Sequence, residues 1–329
     1  MSQTPVLELE NLSVAYDTPK GPVRAVNHVN MKIYPEEIVG LVGESGSGKS
    51  TLAYAIMRLL KGSAFVQEGT IKVLGQDMYK MSPTELRAFR WAKISMVFQS
   101  AMSALNPVMT VEQQIIDTLT SHRKGITPPQ ARARAEELLD LVRIDRKYLK
   151  NYPHQLSGGM RQRVVIAIAI ALEPAFVIMD EPTTALDVVV QRSILDQIQE
   201  IQRHIKFSVL FISHDFSLVA ELAQRVAIMY AGRFVEVTPS QRLQEAGHHH
   251  PYTEGLLRAI PRLTADEVTI EGIPGNPPDL VTLPSGCAFH PRCPVATEEC
   301  KIALPPIYDT PNGLIECHRF AGEKVVQHV

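Results

Sequence analysis

Residues 43–51 read Gly43-Glu44-Ser45-Gly46-Ser47-Gly48-Lys49-Ser50-Thr51. Glycine, four residues, then glycine, lysine and a hydroxyl is the pattern of a loop that cradles phosphate. The glycines let consecutive N–H groups converge on phosphate oxygens, and a helix starting there adds the positive end of its dipole. Lys49 is placed to reach the outer phosphates, and the Ser50 hydroxyl to ligate Mg2+. The bland alternative is a glycine-rich turn capping an ordinary helix. Residues 176–181 end an apolar run on Asp180 and Glu181. At the carboxyl end of a buried strand these neighbours take different work, Asp180 serving a hard divalent cation and Glu181 orienting and activating water as general base. Alone, such a pair would read as a solvated acidic turn. Leu156-Ser157-Gly158-Gly159-Met160 precedes a helical stretch reaching about residue 172. Ser157 sits as N-cap and two glycines bare backbone amides, which makes a second anion site. One nucleotide does not need two helix N-termini of one chain, so the second site fits the nucleotide of a partner subunit.

The elements that must carry these residues are legible around them. Ile38, Val39, Leu41 and Val42 form an apolar run of strand character before the phosphate loop, and residues 52–60 repeat apolar residues at helical spacing after it. Residues 6–34 alternate apolar and polar positions about a turn at Pro19 and Pro22, which predicts a small antiparallel sheet. More strand character follows at residues 70–74, and a strand at 94–98 ends on Gln99. Residues 111–172 turn helical, most clearly at 131–142, with Pro128, Pro129 and Pro153 as breaks. Strands return at 175–179, 209–213 and 226–229, giving the alternation of an α/β layered sheet with helices outside. Residues 238–286 are punctuated by Pro239, Pro251, Pro261, Pro274, Pro277, Pro278 and Pro284, which predicts a linker before a terminal module.

The chain has 329 residues, 45% of them apolar, enough for more than one domain with packed cores. A net charge of -2 lacks the basic excess of a duplex binder, so no nucleic-acid partner is expected. The longest aliphatic stretch, residues 164–172, falls far short of the ~20 residues that cross a bilayer as a helix. Residues 1–10 are polar and acidic, without the basic start and apolar run of a secretion signal, which predicts a cytosolic chain.

All four cysteines, Cys287, Cys293, Cys300 and Cys317, lie close to the C-terminus and mark a module. In a reducing cytosol such a cluster more often binds metal than forms disulfides. The spacings are wider than the short knuckles usual for structural zinc, and four thiolates also suit an iron-sulfur cluster. Buried, unligated thiols are the structural alternative. The triplet 248–250 of histidines, flanked by proline, reads as a loop rather than a metal site.

Taken together, these segments strongly resemble the ATP-binding cassette (ABC) family over about residues 6–240. The resemblance implies a P-loop NTPase core with an antiparallel β subdomain and a helical insert, over about residues 105–172, within an ATPase domain at 1–240. A small cysteine-containing extension follows at 241–329. It implies ATP and Mg2+ as ligands, with Tyr16 stacking on adenine and Gln99 sensing magnesium and linking to the membrane partner. It further implies cofactor contacts from Ser157, Gly158, Gly159 and Gln162, Asp187 of Ala185-Leu186-Asp187 as a cross-subunit contact, and His214 as the switch near the terminal phosphate. Leu105-Asn106-Pro107-Val108, His250-Pro251-Tyr252-Thr253 with Leu256-Leu257, and the cysteine tail are similar to the peptide-and-nickel branch of bacterial importers. That branch implies a 4Fe-4S cluster on the four cysteines, with Zn2+ as alternative. It also implies a second, related ATPase chain, two transmembrane permease subunits and a solute-binding protein as partners, at the cytoplasmic face of the plasma membrane. Ala101-Met102-Ser103-Ala104 departs from the acidic, serine-rich stretch of many peptide importers, which keeps oligosaccharide or nickel import open beside di- or oligopeptides. A soluble cassette protein of DNA repair or translation is the alternative of another class. The insert here lacks the sustained heptads of the repair type, and there is one cassette, not two. An ATP-binding scaffold without turnover is disfavoured because every expected catalytic position is filled.

Overall fold

The computed structural model describes residues 4–99, 104–184, 186–245, 248–259 and 272–326. Ala101, Met102, Ser103, Ala185 and Pro261, noted above, lie outside the described residues. The strands in chain order are β1 (Leu7–Tyr16), β2 (Val23–Ile33), β3 (Ile38–Val42), β4 (Ala64–Val73), β5 (Gln76–Asp77), β6 (Ile94–Val97) and β7 (Phe176–Asp180). They continue as β8 (Ser208–Ser213), β9 (Arg225–Tyr230), β10 (Arg233–Pro239), β11 (Ile307–Thr310), β12 (Gly313–Glu316) and β13 (Lys324–Val326). The chain divides into two compact units. One comprises Met1–Val6, Tyr34–Glu37 and Val73–Leu210, the other Leu7–Ile33, Ile38–Lys72 and Phe211–Val329.

In the unit that holds the phosphate loop, β1 pairs antiparallel with β2, from Leu7 opposite Ile33 to Tyr16 opposite Val23. Leu7, Leu9, Leu12 and Val14 of β1 and Val26, Val29, Met31 and Ile33 of β2 are buried, as alternation on a half-buried sheet demands. A bulge at Asn11, in the left-handed region at φ 50°, shifts the register between Leu9 and Leu12. The second sheet of this unit runs β13-β11-β12-β10-β9-β3. β3 and β9 pair in parallel, Val39 opposite Arg225. Beyond them the sheet turns antiparallel, and β10 accepts β12 with Glu236 opposite Ile315. The C-terminal residues thus add three strands to an edge that would otherwise show unpaired backbone groups. Their proline-punctuated approach predicts a linker and a module, and the strands of that module continue the sheet through hydrogen bonds.

In the other unit, β6 and β7 pair in parallel, Ile94 opposite Phe176. Every residue of both strands is buried, and apart from Ser95 and the terminal Asp180 their side chains are apolar. The helices Val111–His122, Pro128–Leu141 and Gly158–Ile170 occupy the stretch expected to be helical. Pro128 starts its helix, where a missing N–H costs nothing. Gly158–Ile170 is apolar nearly all round and buried accordingly. Val188–Ile205 instead turns Ile194, Leu195, Ile198 and Ile201 inward and ends at Lys206, left-handed at φ 62°.

Candidate active site

The phosphate loop closes the carboxyl end of β3 and starts the helix Lys49–Ile56. Gly48, at φ 106°, takes the position before the helix, and a Cβ there would lie 2.1 Å from the Ala25 carbonyl oxygen. Only glycine meets both demands. Lys49 is buried and folds back over the loop. Its Nζ donates to the carbonyl oxygens of Gly43 at 2.7 Å and Glu44 at 2.8 Å, and to Ser47 Oγ at 3.3 Å. An ammonium held by three loop oxygens at the positive end of a helix is a preformed anion site. Tyr16, half-exposed, shares a hydrogen bond of 3.1 Å with Thr51 Oγ1. Gly46 is left-handed at φ 79° with open space around its Cα, while Ser45 is exposed. His214, exposed, follows β8.

Glu44 is held more tightly than its place in the loop foretells. Its N–H donates to Tyr252 Oη at 2.9 Å. Its carboxylate takes Arg292 Nη1 at 2.6 Å and Nη2 at 2.9 Å. Tyr252 is fully buried, Arg292 nearly so, and both pack with Tyr230 and Phe289. Sequence reasoning did not single out Arg292. The signal was the carboxylate itself, because an acid inside an anion-binding loop needs a nearby cation.

In the other unit, Asp180 ends β7 with no exposure to solvent, and Glu181 follows in the left-handed region at φ 47°. That conformation costs a non-glycine residue about 1–2 kcal/mol. Gln99 Nε2 donates to Glu181 Oε2 at 3.0 Å, and Thr184 Oγ1 donates to the same oxygen at 2.9 Å. The structure therefore brings Gln99 and Glu181 together and adds Thr184, which the sequence did not single out. Both donors fix the position of the carboxylate that would act as general base.

Ser157 caps the helix Gly158–Ile170, its Oγ accepting the Met160 N–H at 3.3 Å. Ser157 is exposed and Gly158 half-buried. A Cβ on Gly159 would come within 2.8 Å of Val190, so the bare backbone there is also a packing requirement. Gln162 is buried, its Nε2 without a hydrogen-bond partner. Asp187, exposed, caps Val188–Ile205 by accepting the Val190 N–H at 2.9 Å.

Cys287, Cys293, Cys300 and Cys317 all line one cavity of about 230 Å³. Burial pushes the Cys287 thiol up to about 11 and that of Cys317 up to about 12, and the neighbouring thiols add to both. Among the described residues no three His, Cys, Asp or Glu side chains converge closely enough to hold a metal ion. His250 lines the same cavity. The triplet of histidines is loop in backbone, yet His249 and His250 are buried. Burial drives His250 down to about 3, so its ring is neutral. Its Nδ1 accepts the Tyr252 N–H at 3.0 Å, which places the ring proton on Nε2, buried and without a partner.

The family described as ABC transporter matches residues 26–184, and that described as oligopeptide/dipeptide transporter, C-terminal region, matches residues 235–300. The chain is 43% identical over 303 residues to the oligopeptide transport ATP-binding protein OppD of Haemophilus influenzae, covering 91% of this chain and 92% of the relative. It is 46% identical over 321 residues to a protein of Brucella abortus (strain 2308), covering 93% and 94%, whose name assigns it provisionally to peptide import as an ATP-binding protein. A solved dimeric ATP-binding cassette, MJ0796, bound to ADP and Pi in a post-hydrolysis state, is similar at TM-score 0.64 and 28% identity, over 71% of this chain and 98% of that one. Among the described residues, no helix is long and apolar enough to cross a membrane. Phosphate loop, buried acidic strand and overall similarity agree, and the chain belongs to the ATP-binding cassette family of transporter proteins.

Proposed function

We propose that this chain is the ATP-hydrolysing subunit of a bacterial peptide importer. The observation that carries the hydrolytic part is the Glu181 carboxylate, fixed by Gln99 and Thr184 just past the buried acidic strand. The peptide assignment is supported by the oligopeptide/dipeptide C-terminal match and by the name of the Haemophilus influenzae relative. In this reading residues 1–240 are the ATPase domain, with its helical insert over about 105–172, and residues 241–329 are the extension of the peptide-importer type.

Residues 43–51 bind the phosphates through their amides and Lys49, and Tyr16 meets the adenine. Magnesium, when bound, neutralises charge on the phosphate oxygens. Ser50, Gln99 and Asp180 are the residues that would hold it. Asp180 supplies the buried hard carboxylate such an ion requires. Glu181 takes a proton from the attacking water, and His214 steadies the terminal phosphate. Ser157, Gly158, Gly159 and Gln162 of a second ATPase chain, with Asp187, complete the charge stabilisation, so closure of the pair precedes hydrolysis. The chain works at the cytoplasmic face of the plasma membrane, bound to two permease subunits that receive peptide from a solute-binding protein. Co-purification with membrane permeases and ATP turnover stimulated by peptide would support this assignment; a soluble chain indifferent to membranes and peptide would overturn it.

For the four cysteines the reading is a 4Fe-4S cluster, with Zn2+ as the alternative. All four cysteines line one cavity, and the positive charge of a cluster core would offset the cost of ionising buried thiols. Protein purified without oxygen should be brown and carry iron and acid-labile sulfide in equal amounts. Stoichiometric zinc without iron would exclude the cluster.

A further inference from the structure

A carboxylate in a loop built for triphosphate is a liability unless its charge is offset. Glu44 is in that position, second in the loop. Arg292, from 248 positions further along the chain, meets it with two parallel hydrogen bonds of 2.6 and 2.9 Å. This fork geometry fixes direction as well as charge. The same arginine donates from Nε to the Pro274 carbonyl at 2.8 Å, so the guanidinium is held from both sides. Tyr252 takes the Glu44 N–H through a hydroxyl that burial keeps protonated. Arg292 immediately precedes Cys293, and Tyr252 follows His250, so both grips on the loop come from segments that line the cysteine cavity.

We propose that Arg292 and Tyr252 are positioning residues of the nucleotide site, through which the cysteine-bearing C-terminal region holds and neutralises the phosphate loop. The inference rests on residues 43–51 binding ATP. Arg292 masks the one negative charge in the loop, and Tyr252 fixes the peptide plane at its entrance, so the loop is shaped before the nucleotide arrives. Both effects act on binding and not on the chemical step. A role for this region in nucleotide affinity follows, independent of any redox change at its cysteines.

The test uses the full chain and Mg-ATP. Arg292→Met should weaken Mg-ATP binding about tenfold and raise KM alike, with kcat at saturation changed less than about threefold. Glu44→Gln added to it should restore most of the affinity, since it removes the uncovered charge; a purely structural role for Arg292 gives no such rescue. Unchanged affinity in Arg292→Met, or a loss that Glu44→Gln leaves in place, would overturn the proposal. Should Arg292→Met fail to fold, Tyr252→Phe removes only the accepting hydroxyl: hydrogen exchange at the Glu44 amide should quicken and KM rise about threefold. Unaltered exchange and KM would be decisive against it. If the unaltered chain binds no Mg-ATP, the phosphate-loop assignment itself has failed, a separate result.

Discussion

Gln99 donates a hydrogen bond of 3.0 Å to Glu181 Oε2, linking the residues just past two neighbouring parallel strands. Because β6 and β7 run in parallel, their carboxyl ends lie side by side, and residues remote in sequence meet there. Glu181→Gln keeps the shape and removes the base. It should retain Mg-ATP binding and lose about two to four orders of magnitude in turnover, read as phosphate release at saturating ATP. Unchanged turnover would remove Glu181 from that role.

Gly48→Ala puts a methyl group 2.1 Å from a backbone carbonyl that cannot yield like a side chain, at φ 106° where L-residues are strained. The loop must shift. Nucleotide binding should be lost and the folded state weakened by about 1–3 kcal/mol, measurable in a denaturant titration. Wild-type affinity in this variant would contradict the loop geometry.

Arg233 joins β10 to β12 through Glu316, Nε to Oε1 at 2.8 Å and Nη2 to Oε2 at 2.7 Å. Burial pushes the Glu316 carboxyl up, while Arg233 opposes that shift. Arg233→Met strands a buried acid and should cost about 3–5 kcal/mol. Glu316→Gln in the same chain should recover part of it. A loss below about 1 kcal/mol would show that the pair does not secure the C-terminal strands.

Both ring nitrogens of His249 face acceptors, Nδ1 the Glu236 carboxylate at 2.6 Å and Nε2 the Arg242 carbonyl at 3.1 Å. Burial alone would lower its pKa, but the hydrogen bond and charge of Glu236 prevail and raise it above 6.5. The folded state then holds the proton more firmly than the unfolded chain. The stabilisation is complete below pH 6.5 and is lost as pH rises through the folded value, by about 1.4 kcal/mol per pH unit at most. Denaturant titrations of the wild type and His249→Gln should converge over that range. A constant difference would contradict the imidazolium assignment.

The phosphate loop, the acidic strand and the capped helix after Ser157 were legible because each obeys a local rule: glycine where the backbone is crowded, apolar runs where strands are buried, a hydroxyl where a helix begins. Long-range pairings carry no such rule. Arg292 reveals nothing beside Cys293 until the fold delivers it to Glu44, and the burial of His249 depends on Glu236 lying on a strand edge that the C-terminal residues cover. Strands β11 to β13 were hidden for a related reason, being too short for a periodic pattern to stand out.

In the proposed mechanism two chains share each site of hydrolysis. Turnover per chain, measured at saturating Mg-ATP over a dilution series alongside the oligomeric state, tests it most directly. Turnover should fall steeply as the pair dissociates, and Ser157→Arg in one chain should silence its unaltered partner's site. Strictly monomeric protein that hydrolyses ATP at the undiluted rate would contradict it.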